Sequence, residues 1–141
     1  MTRVDFAFGA PERLRKACEV VRKHYEAGRP LQIYLSDTRL LHRFDRLLWG
    51  FEPNAFIPHV FIDDPVAQDT PVLLTHQAPK PQTPDTWLVN LDDHCPPGFE
   101  QFSRILEIVS ERETDRQTAR ERWRLYQAAQ CELHSHDLRG R

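Results

Sequence analysis

"LQIYLSDTRLLHRFDRLLWG", residues 31–50, contains a strand, a cap and a helix in twenty residues. "LQIYL" (31–35) is a short apolar run rich in strand formers. Ser36 or Asp37 then offers a side-chain oxygen to orphan amides of a helix start. The apolar residues that follow, Leu40, Leu41, Phe44, Leu47 and Leu48, recur at helical spacing and form one core stripe. A β-to-α unit of this kind, repeated, defines the fold class.

It is repeated on both sides. Upstream, "VDFAF" (4–8) alternates as a first strand, and Pro11 suits the first turn of a helix. Leu14, Cys18, Val21 and Tyr25 then follow at 4-3-4 spacing, with Gly28 placed to end the helix. Downstream, "FIPHVFI" (56–62), "VLLT" (72–75) and "TWLVNL" (86–91) read as strands between proline-bearing loops. The loop "HQAPKPQTPD" (76–85) is expected to be exposed and partly extended. "GFEQF" (98–102) suits one helical turn, and "RILEIVS" (104–110) a last strand. A final helix is expected from about residue 111 to 130, with residues 131–141 forming a polar tail. The expectation is one α/β domain over residues 1–141, a mostly parallel sheet with helices on its faces.

Composition limits the functional classes. Formal net charge is -2 and pI about 6.4, which argues against a general nucleic-acid binder. No apolar run approaches the ~20 residues of a membrane span, and the opening stretch lacks a secretory h-region, so a cytoplasmic location is expected. Cys18, Cys95 and Cys131 are odd in number and far apart, unlike a disulfide framework. The five glycines are too dispersed for G-x-G-x-x-G or a P-loop, so no phosphate-cradling turn is available. "DDHC" (92–95) and "CELHSH" (131–136) offer metal-ligand types without zinc spacing. No cofactor, metal or catalytic residue is assigned.

Two surfaces remain. Arg112, Arg116, Arg120 and Arg124 recur every four residues, and four arginines face one acid between 116 and 124. At about 100° per residue, Tyr126 and Trp123 fall within roughly 40° of Ala119 and form a face for the sheet. Arg116, Arg120 and Arg124 follow on one shoulder, at about 60°, 100° and 140°. A solvated helix laced with i,i+4 pairs is the plain alternative. The excess of arginine over acid, and guanidinium's two-pronged grip on carboxylates and phosphates, favours a ligand that is anionic and partly apolar. An acidic peptide and single-stranded nucleic acid both qualify. The second surface is "LLWGFEPNAFIPH" (47–59). Trp49 lies roughly 140° from Phe44 on the helix, and Phe51 and Phe56 follow in a proline-interrupted loop. Such aromatics form either a protein-contact patch or a small core beneath the loop.

"LLWGFEPNAFIPH", then "PPGFEQFSRILEIVS" (96–110) and "ARERWRLYQAAQCELHSHDL" (119–138), together resemble the chi-subunit family of bacterial DNA polymerase III nearly end to end. The resemblance implies a Rossmann-like accessory protein without catalytic activity. It implies pairing with the psi subunit, which attaches chi to the clamp loader, and capture of the acidic, phenylalanine-terminated tail of single-stranded DNA-binding protein. Carried over by position, the tail-binding residues are Arg116, Arg120, Trp123 and Arg124, with Val109 lining an apolar pocket; the psi-binding residues are Trp49 and Phe56. DNA is then contacted mainly indirectly, and no membrane is involved. The rival readings are direct single-strand binding with Trp123 stacking among the arginines, and a metal-dependent hydrolase using Asp92, Asp93 and His94.

Overall fold

The computed structural model describes residues 1–139. Seven strands form one sheet: β1 (Arg3–Ala10), β2 (Leu31–Tyr34), β3 (His59–Phe61), β4 (Val72–Thr75), β5 (Trp87–Asn90), β6 (Arg104–Ser110) and β7 (Glu132–Asp137). Their order is β3-β4-β2-β5-β6-β1-β7 and every neighbouring pair is parallel. Three helices, α1 (Arg13–Glu26), α2 (Thr38–Gly50) and α3 (Glu113–Ala128), cover it. The architecture is the Rossmann-like α/β arrangement expected from the sequence.

Local chemistry sets the helix ends. Asp37 caps α2 by accepting from the amides of Arg39 and Leu40. Ser36, the other candidate cap, instead donates from Oγ to Asp92. Gly28, at φ +83°, ends α1 in the left-handed conformation that a side chain would resist. Glu113 and Asp115 in the first turn of α3 face the positive end of its dipole.

The sheet's two faces carry different cores. Cys18, Val21, Leu41, Phe44 and Leu48 of α1 and α2 pack against Ile33, Leu74 and Val89. Ala119 and Tyr126 of α3 pack against Phe6, Ile105 and Val109 on the opposite face. On this second face Gln32 of β2 is covered by the proline-bearing loop: its amide donates to the Lys80 carbonyl (2.8 Å) and accepts from the Lys80 amide (3.1 Å).

Three expectations need correction. Leu40, placed on the core stripe, is 38% exposed; only Leu41, Phe44 and Leu48 are buried on α2. The third strand is shorter than expected, because Pro58 has no amide to give a ladder. The polar tail is not a tail: Glu132–Asp137 forms edge strand β7, running parallel to β1 with Arg3 opposite Glu132 and Phe8 opposite Asp137. Backbone pairing with β1 holds it, and only Leu133 packs into the α3 core, so hydropathy gave no sign of it. Alternation along β7 also separates the candidate metal ligands. His134 and His136 point to one face, toward Glu132 and Asp5, while half-buried Cys131 packs under α3 on the other.

Candidate functional site

Where α3 leans over the C-terminal ends of β1 and β6, a cleft of about 600 Å³ opens. Its floor is apolar: Phe6 and Phe8 of β1, Val109 of β6, and Ala119 and Trp123 of α3. The Trp123 indole lies 5.1 Å from the Phe6 ring, tilted by 55°, which leaves it half-buried at the core's edge. Arg116, Arg120 and Arg124 line the same cleft. All five residues expected of the tail-binding site thus meet in one cavity.

The arginines are poorly neutralised. Arg116 and Arg120 each approach the one Glu113 carboxylate at 3.5 Å, with all three side chains more than half exposed. Such surface pairs contribute little and exchange readily. Among the described residues Arg124 makes no ion pair. Two other arginines of this segment do different work. Arg112 precedes α3 and lines a separate cleft at the carboxyl ends of the strands. Arg122, counted in the sequence as part of the cationic excess, is 1% exposed and points into the protein.

Arg122 belongs to a buried polar cluster that fixes α3 on the sheet. Its Nε donates to Glu107 Oε1 at 3.0 Å, and its Nη1 to the Asp93 carbonyl at 3.1 Å. The other carboxylate oxygen of Glu107 accepts from Tyr126 Oη (2.7 Å) and Asn90 Nδ2 (2.8 Å). Arg13 approaches Glu107 at 4.0 Å and binds the Ile108 and Asp92 carbonyls. Burial, then the neighbouring Arg122 charge, lowers the Arg13 pKa. Burial, then the Glu107 charge, pushes the Tyr126 hydroxyl well up and the Cys95 thiol to about 11.

Asp92, Asp93 and His94, the rival catalytic set, sit at the carboxyl end of β5. The Asp92 carboxylate is 5% exposed as a residue and accepts from the Ser36 amide (2.9 Å), the Ser36 hydroxyl (2.5 Å) and the His94 amide (3.3 Å). Asp93 pairs with Arg13 at 3.5 Å. These bonds tie the β2 and β5 loops to α1. The cleft above them mixes arginines (13, 43 and 112) with a larger number of carboxylates (12, 37, 92, 93 and 115), so it lacks the cationic excess of the α3 cleft. Among the described residues, no three His, Cys, Asp or Glu side chains gather as a metal site would require.

The second surface lies across the sheet. α2 runs to Gly50, so Trp49 is helical and its indole points off the core, 45% exposed. Phe56 is 70% exposed, with its ring 5.6 Å from Trp49. Beneath them buried His59 stacks at 4.0 Å on Trp49 and reaches the Ile57 carbonyl and the Asp45 carboxylate. Phe51 is 6% exposed and part of the core, not of the patch. The pair stands beside edge strand β3 on the α2 side, whereas the arginine cleft lies toward edge strand β7 on the α3 side.

Sequence reasoning missed Phe6, Phe8, Glu111 and Arg139, which also line the cleft. The phenylalanines were read only as strand. Arg139 was hidden by the unrecognised β7.

Fold and site together define a Rossmann-like α/β domain bearing a cationic, aromatic-floored cleft on one face. Residues 1–134 match the family described as "DNA polymerase III chi subunit, HolC", and the chain belongs to that family. The DNA polymerase III subunit chi of Pseudomonas aeruginosa is 32% identical over 98% of both chains. That of Escherichia coli is 24% identical over 84% of this chain and 80% of its own. The chain is thus an accessory subunit of DNA polymerase III, with a role in DNA replication. No helix among the described residues is long and apolar enough to cross a membrane.

Proposed function

We propose that this subunit is a non-catalytic, cytoplasmic adaptor that joins the clamp loader to coated single-stranded DNA. The α3 cleft takes the acidic C-terminal tail of single-stranded DNA-binding protein, and the Trp49–Phe56 pair docks the psi subunit. The observation that supports this most is the convergence of Arg116, Arg120, Arg124, Trp123 and Val109 on one cleft. Among the described residues two of the three guanidiniums share a single carboxylate and the third has none, which favours an anionic ligand, and the Phe6, Phe8 and Trp123 surfaces favour one that ends in an aromatic side chain. No cofactor enters this function.

The test is a titration with an acidic, phenylalanine-terminated peptide and, separately, a bare oligonucleotide. Peptide should bind, more weakly as salt rises, and Arg120→Ala should cost about 1.5–3 kcal/mol. A folded Arg120→Ala protein with unchanged peptide affinity would sink the assignment. Oligonucleotide binding without peptide binding would favour direct contact with DNA.

A further inference from the structure

Among the described residues, one cationic side chain reaches the cleft from outside α3. After β7 the chain turns so that Arg139 lines the cavity together with Arg116, Arg120 and Arg124. Its placement is built by three contacts. The aliphatic stem lies on the bare backbone of Gly9, where an added Cβ would stand 2.7 Å from Cγ and 3.2 Å from Cδ. Gly9 has φ +85° and sits at the irregularity in the β1–β6 ladder between Phe8 and Ala10. The guanidinium lies over the Phe8 ring, 5.6 Å from its centroid. One edge of the guanidinium is held by Asp137, with Nε 3.0 Å from Oδ1 and Nη2 3.1 Å from Oδ2.

That two-pronged pairing occupies two of the five N–H donors of an arginine. Among the described residues the Nη1 side makes no hydrogen bond, and the side chain is 59% exposed. The result is a cation oriented by its own strand, resting on an aromatic ring that lines the cleft, with donors left for a second carboxylate. The three arginines of α3 share one helix face; Arg139 comes from a different element.

We infer that Arg139 is a specificity-determining residue of the cleft, binding a carboxylate of the acidic peptide other than the one held by Arg120. This rests on the peptide-binding reading above. Gripping from two elements selects a peptide with at least two acidic groups over one with a single acid beside its terminal aromatic residue. It also makes the C-terminal strand part of the binding surface.

The experiment measures peptide affinity by fluorescence anisotropy for the full chain and for Arg120→Ala, Arg139→Ala, Gly9→Ala and the Gly9→Ala/Arg139→Ala double variant. The peptide is used intact and with each acid replaced in turn by its amide. Arg139→Ala should weaken the intact peptide on the order of tenfold. One amide replacement should then lose its effect in Arg139→Ala, and a different one in Arg120→Ala. Gly9→Ala should weaken binding by displacing the Arg139 stem, yet add nothing once residue 139 is truncated, because the atom it strikes is gone. Its backbone strain is the same in both backgrounds. If the intact protein binds no peptide, both readings fall. If peptide binds and Arg120→Ala loses it while Arg139→Ala does not, only the role of Arg139 is overturned. The same follows if Gly9→Ala weakens binding equally in both backgrounds.

Discussion

Glu107→Gln should be more damaging than Arg122→Met, although each removes one member of the same buried pair. The reason lies in the charge count around the carboxylate. Glu107 faces two guanidiniums, Arg122 at 3.0 Å and Arg13 at 4.0 Å, and its side chain is 0% exposed. Replacing it by Gln leaves buried Arg122 with no ion-pair partner and leaves largely buried Arg13 only the exposed Asp93 carboxylate, 3.5 Å away. The amide is also wrong for hydrogen bonding, because both oxygens of Glu107 accept from donors: Arg122 on one, Tyr126 and Asn90 on the other. One set of donors must then face an NH₂ group. Breaking a buried ion pair from one side costs about 3–5 kcal/mol. Arg122→Met instead retains the aliphatic stem and leaves Glu107 with Tyr126, Asn90 and Arg13, one anion for one cation. Its cost should be about 1–3 kcal/mol. For a chain of 141 residues, 4 kcal/mol lowers Tm by roughly 10–15 °C. Urea unfolding followed by circular dichroism, with calorimetry for Tm, measures both variants. Equal costs, or a larger cost for Arg122→Met, would refute the two-cation account.

Two further predictions test other parts of the molecule. Phe56→Ala should reduce psi binding by about 2 kcal/mol and leave peptide affinity unchanged, while Trp123→Ala does the converse, because the surfaces lie on opposite faces; paired titrations decide, and folded variants that lose both partners equally would contradict it. Asp5→Asn should cost about 1–2 kcal/mol at pH 7, measured by urea unfolding across pH, since it removes bonds to Arg3, Arg104 and His136. Burial raises the Asp5 pKa, but the Arg3 and His136 bonds and the Arg104 charge outweigh it and hold the group below the usual range. A depressed folded pKa stabilises above the unfolded value near 4 and is lost as pH falls through the folded one. The gap between wild type and Asp5→Asn should therefore close in acid; a gap that persists there would assign the effect to packing.

Legibility in the sequence followed how strongly local chemistry marked each element. β6 was expected at 104–110 and is found there, because the run is largely apolar and rich in β-branched residues. α2 was marked by Asp37 and a clean stripe. β7 was not, since its sequence, ELHSHD, is polar and its stability comes from β1, more than a hundred positions away. The same limit divided the arginines. Helical angles placed Arg116, Arg120 and Arg124 correctly together on the cleft. Only the opposing Glu107, buried at mid-strand, reveals that Arg122 turns inward. A lone acid in an otherwise apolar strand was the available sign. The angle of Trp49 left two outcomes, a helix ending before it or an indole off the core, and α2 running to Gly50 decides for the second, whereas the burial of Phe51 and exposure of Phe56 depend on a loop path that periodicity does not describe.

The place of β1 in the sheet has a temporal consequence. Its two neighbours are β6 and β7, both from the last third of the chain, so the first strand made is among the last to be completed. At ribosomal rates of ~5–20 residues per second, about 100 residues of synthesis separate β1 from its first partner, on the order of 5–20 s. Throughout that interval Val4, Phe6 and Phe8 have no sheet to join. The nascent chain can assemble β2, β3, β4 and β5 first, and waits with an unpaired apolar leader for its own C-terminal half. The two phenylalanines in the floor of the arginine cleft and the helix that carries its arginines are therefore born at opposite ends of translation, and a chain that stops short of β7 lacks Ser135 and Arg139 from the lining.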